Sequence, residues 1–106
     1  MHPLIQAVHQ RTRAYRKKGG KKNRRQQHAR MIQFAQFCAS EGLTSPLQIG
    51  ARQVIRYWRS ERMMQLADTT LANHYYALVE LWKLCDKAGT PPKPFMKAER
   101  EKRSQS

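Results

Sequence analysis

Between Leu71 and Cys85 the apolar residues Leu71, Tyr75, Leu78, Trp82 and Cys85 recur at alternating spacings of four and three. A helix of 3.6 residues per turn places all five on one face, whereas a strand would scatter them over both. Met31, Phe34, Ala35 and Cys38 repeat the pattern at i, i+3, i+4 and i+7. Period-two alternation never persists over a useful length, so no strand competes and the chain is expected to be all-α.

Four helices follow, with a fifth allowed for. The first covers residues 3 to about 16, with Leu4, Ile5 and Val8 as a short apolar stripe and Pro3 tolerated in the first turn. Arg16 to Lys22, broken by Gly19-Gly20, reads as a flexible basic loop. The second helix runs from about Asn23 to Glu41 and ends at Gly42 in left-handed geometry. A third spans about Ala51 to Met63, with Val54, Tyr57 and Trp58 facing inward and Arg52, Arg56 and Arg59 forming a basic stripe. The fourth starts with Asp68 as N-cap and ends at Gly89, and Pro91-Pro92 blocks its resumption. Residues 1–90 then form one domain led by Phe34, Trp58, Leu78 and Trp82. Residues 91–106 form a basic linker or partly disordered tail with little to bury.

Charge narrows the partners. The 106 residues carry 21 Lys and Arg against 7 Asp and Glu, a net charge of +14, and ten of the basic residues precede the first acid, Glu41. Such a field attracts polyanions: DNA, RNA or an anionic membrane. No apolar run reaches the roughly 18 residues of a membrane span. The N-terminus lacks the apolar stretch of a secretory signal, so a cytoplasmic, nucleoid-associated location is expected. Cys38 and Cys85 sit within apolar helical patterns and read as buried free thiols. His2, His9, His28 and His74 show no ligand spacing with them, and neither metal nor cofactor is expected.

Three sets of residues are candidates for nucleic-acid contact. Arg16, Lys17, Lys18, Lys21, Lys22, Arg24 and Arg25 suit phosphate neutralisation. Gln26, Arg30 and Gln33, on the polar side of the second helix, have the side chains best suited to bidentate base readout. Thr69, Thr70, Asn73, His74 and Tyr76 open the fourth helix, where free N–H groups favour phosphate and Asn suits adenine. Arg52, Arg56, Arg59 and Arg62 form a weaker set, more often a solvated face. Tyr57, Trp58, Tyr75 and Trp82 share helical spacing with Leu and Val and belong to the core, while Tyr76 lies off that stripe. The few scattered acids leave no paired carboxylates for acid–base chemistry, so no enzyme is expected.

The passage from Arg30 to Gly89 resembles the core-binding, SAM-like N-terminal domain of phage integrases and other tyrosine recombinases. The resemblance rests on Arg30-Met31-Ile32-Gln33-Phe34-Ala35-Gln36-Phe37-Cys38, Gly42-Leu43, Val54-Ile55-Arg56-Tyr57-Trp58 and Thr69-Thr70-Leu71-Ala72-Asn73. Its most specific part is the spacing of Thr70, Asn73, Ala77-Leu78 and Leu81-Trp82. The Leu4-Ile5 helix and basic hinge extend it to about residues 3–90. It implies a four- or five-helix bundle with two helices across adjacent DNA grooves, one half of a C-shaped clamp. Those helices match the second and fourth here. The family's catalytic domain would begin near residue 95 and has no counterpart in this chain. The expectation is therefore a stand-alone DNA binder or an integrase fragment, with no tyrosine assigned as nucleophile.

The leading expectation is a double-stranded DNA-binding protein acting at a site on a plasmid, phage or integrative element, in recombination, transfer or regulation. Further partners would be a second copy on DNA or recombination and transfer proteins. The alternatives are an RNA-binding or ribosome-associated protein, and a protein-interaction module of a conjugation or recombination complex.

Overall fold

The computed structural model describes residues 2–17 and 21–99, with side chains for 2–15 and 23–99. It is an all-α bundle: α1 (Pro3–Lys17), α2 (Lys21–Ser40), a 3-10 turn (Pro46–Gln48), α3 (Ala51–Arg59), α4 (Glu61–Met64) and α5 (Asp68–Leu84). There is no strand among the described residues.

Pro3 opens α1 where its missing N–H costs nothing, and His2 Nδ1 accepts the next N–H, from Leu4, at 3.1 Å. α1 folds back along α2. The buried Thr12 hydroxyl donates to Val8 O at 2.8 Å and lies 3.0 Å from His28 Nε2. Because the hydroxyl proton is spent on Val8, His28 donates through Nε2 to Thr12 Oγ1. The basic connection is shorter than expected. Arg16 and Lys17 end α1 and Lys21 and Lys22 begin α2, because helical pairing continues through them.

Gly42 ends α2 as expected. Its φ is +93°, its N–H reaches Ala39 O at 3.0 Å, and Leu43 N–H reaches Cys38 O at 3.1 Å, a Schellman closure. α5 closes by the same motif, but at Asp86 rather than at Gly89. Asp86, with φ +55°, takes the left-handed position; its N–H bonds to Lys83 O at 3.1 Å, and Lys87 N–H bonds to Trp82 O at 3.0 Å. Asp tolerates this backbone better than most residues with a Cβ, so the closing left-handed residue comes three positions before the glycine expected to supply it.

The expected single helix from Ala51 to Met63 is two. Ser60 adopts extended backbone (φ −62°, ψ 149°), and both its N–H and its hydroxyl bond to Tyr57 O, at 3.1 and 2.7 Å. Those bonds end α3 and restart the chain as α4. Met63 then turns into the core, fully buried. Asp68 is also corrected: Ala67 is the N-cap, and Asp68 stands in the first turn of α5.

The core joins Leu4 and Val8 of α1, Met31, Phe34, Ala35 and Cys38 of α2, Val54, Tyr57 and Trp58 of α3, Met63 of α4, and Leu71, Ala77, Leu78, Leu81 and Trp82 of α5. Each large apolar side chain buried there contributes about 1.5–3 kcal/mol. Phe34 meets the Tyr57 ring edge-on at 5.0 Å. Both cysteines are free; Cys38 is buried, while Cys85 is half-buried at the end of α5. Burial, and then Glu41, pushes the Cys38 thiol up to about 12.

The segment after Gly89 is packed up to residue 97, not a free tail. Pro91 and Pro94 are buried, the Trp58 indole donates to Pro92 O at 2.9 Å, and Lys97 N–H donates to Asp68 Oδ1 at 2.8 Å. A buried indole N–H needs an acceptor, and the proline run supplies carbonyls with apolar rings beside them. Residues 97–99 are helical.

Candidate nucleic-acid interface

α2 has two unlike sides. Its inward residues Met31, Phe34, Ala35 and Cys38 are fully buried. Its outward side exposes Arg25, Gln26 and Gln36, with Arg30 and Gln33 half-buried. Arg30 Nη1 donates to Gln27 Oε1 at 2.8 Å, which holds the guanidinium against its own helix.

Tertiary packing adds a residue that the sequence assigned elsewhere. Arg62, read as part of the α3 arginine stripe, follows the break at Ser60 and reaches the outward side of α2. There it borders a cleft with Arg25, Gln33 and Gln36 of α2 and His9 of α1. The signal was present as Ser60-Glu61, a helix-start pair within an otherwise helical pattern. Among the described residues, no carboxylate borders this cleft.

The α5 candidates divide. Thr69, Asn73 and Tyr76 are exposed and Thr70 is half-buried. His74 is corrected: it is buried, with its ring 6.5 Å from that of Tyr57, and offers no surface for a base edge. Helical periodicity puts it between Leu71 and Leu78 on the inward stripe. Burial, then Arg30, then Arg62 lower its pKa to about 4, so the imidazole is neutral near neutral pH. Both arginines thus act on one point beneath the interface. The start of α5 is a poorer phosphate site than expected, because the Asp68 carboxylate already stands in its first turn.

Arg24 is corrected as well. It lies seven residues before Met31, on the inward side of α2, with its guanidinium 4.7 Å over the Tyr15 ring and Nη1 donating to Tyr15 O at 3.3 Å. It borders a separate cleft with Glu80. Burial and Glu80 raise the Tyr15 pKa, against the pull of Arg24. Lys18 and the side chains of Arg16, Lys17, Lys21 and Lys22 lie outside the described residues.

Several other basic residues already have partners within the fold. Arg56 makes a two-point ion pair with Glu41, Arg59 stacks 5.8 Å from the Phe95 ring centre, Lys83 pairs with Glu80 and Arg11 with Asp86. No helix among the described residues is long and apolar enough to cross a membrane. No protein-family model, curated protein or solved structure matches the chain.

Proposed function

We propose that the chain binds double-stranded DNA through the outward side of α2, flanked by Arg62 and by the exposed Thr69 and Asn73 of α5. One observation carries this reading: Arg25 and Arg62 converge with Gln33 on a cleft that no described carboxylate borders, with Gln26 and Arg30 on the same helix. Arginine neutralises phosphate, and Gln and Arg offer paired donors to base edges. The net charge of +14 supplies the long-range attraction. Duplex DNA is favoured over RNA because sequence-specific RNA binding uses several exposed aromatic rings, and among the described residues Tyr76 is the large aromatic side chain that stands out in solvent. The resemblance to tyrosine recombinases adds a role at a site on a mobile element, in recombination, transfer or regulation.

The test is a fluorescence-anisotropy titration against random duplex DNA, single-stranded DNA and duplex RNA at two salt concentrations. Preference for duplex DNA with affinity falling steeply in salt is expected. Replacing Lys21 and Lys22 with Ala should weaken binding to every duplex and lower the salt slope by about 1 per lost phosphate contact. Equal or tighter RNA binding would refute the reading.

A further inference from the structure

The cleft between α1, α2 and α4 is lined by two arginines and two histidines. Arg25 and Arg62 are permanently charged. His9 and His28 also line it, with ring centres 5.4 Å apart. His28 is anchored through Nε2 to Thr12, which braces it beside His9. Gln33 and Gln36 add amide donors at the rim. The charged or titratable groups facing His9 are Arg25 and His28 from α2 and Arg62 from α4, with Arg13 one turn away on α1.

We propose that this cleft is a proton-linked oxyanion site that takes one backbone phosphate of the bound nucleic acid, with His9 as the proton-dependent contact. The proposal rests on the DNA-binding reading. Imidazole is the side chain whose charge changes between about pH 5 and 8, and a phosphate held among cations favours its charged form. By linkage, protonation of His9 strengthens phosphate binding by the factor that phosphate strengthens protonation.

Duplex affinity should therefore rise roughly three- to tenfold between about pH 7.5 and about pH 5.5. His9→Gln should abolish most of that rise. Arg62→Gln should weaken binding at both pH values, and Arg52→Gln should change neither. Circular dichroism melts of each variant check that the fold is intact. An unchanged pH dependence in a folded His9→Gln variant would overturn the proposal.

A titration with inorganic phosphate, followed by the His9 imidazole NMR signals, separates the sources of the anion. Weak shifts that duplex DNA reproduces and displaces support a backbone phosphate. Saturable phosphate binding that duplex DNA leaves undisturbed overturns that assignment. If no duplex binds at either pH, the DNA reading falls on its own, and the phosphate titration still judges the cleft: no shift of His9 ends it.

Discussion

Two groups of arginines share a residue type and differ in what surrounds them. On α3, Arg56 is paired with Glu41 and Arg59 lies over Phe95, so folding has already provided those charges with partners. On α2 and α4, Arg25 and Arg62 face a cleft with no described carboxylate at its border, and Arg30 bonds a neutral amide on its own helix. A charge paired with a carboxylate contributes little to ligand attraction, and a guanidinium held over a ring is less free to reach a ligand, whereas one left among other cations raises the local potential. Counting arginines along a helix therefore does not locate a binding surface; the partners the fold gives them do.

The largest expected effect concerns the buried His74, which lies beneath the second group and is shifted first by burial and then by Arg30 and Arg62. His74 has its folded pKa lowered to about 4, below the ordinary imidazole value. The unfolded chain therefore binds more protons in this window, and stability is lost as pH falls from about 6.5 towards 4. The loss should reach about 2 kcal/mol, after allowance for partial solvent screening. Thermal melts across that range measure it, and His74→Phe should flatten the curve. An equally steep curve in that variant would mean that His74, lowered first by burial and then by Arg30 and Arg62, is not the group behind the loss.

Next comes a direct contrast of the two groups. Arg30→Ala and Arg62→Ala should each weaken duplex binding by about tenfold, or about 1.4 kcal/mol. Arg56→Ala and Arg59→Ala should stay within about twofold. Anisotropy titrations of the four variants decide it: an equal loss in the α3 pair would erase the distinction.

The smallest effect turns one group into the other. Glu41→Gln removes the partner of Arg56 and should raise non-specific duplex affinity about two- to threefold. Stability should fall by no more than about 0.5 kcal/mol, since the pair is at the surface. Denaturant unfolding alongside the anisotropy measurement checks both.

Much of the fold was legible. The inward stripes of α2 and α5 and the glycine closure at Gly42 follow from apolar spacing and local backbone preference. The candidate site was legible in part. Gln26, Arg30 and Gln33 lie on the side of α2 that periodicity indicated, whereas His74 and Arg24 face inward. Both misplaced residues are polar, and polarity suggested a surface that helical phase denied them.

The helical class, the inward residues of the long helices and the excess of positive charge could all be read from the chain alone, because each depends on local periodicity or on composition. Three outcomes required the packed molecule: Arg62 joins the α2 surface, Glu41 neutralises Arg56, and the segment from Pro91 to Lys97 straps Trp58 to the start of α5. Most of these depend on contacts between residues far apart in the chain, such as Trp58 with Pro92 and Asp68 with Lys97. Their free energy exists only once the helices have packed.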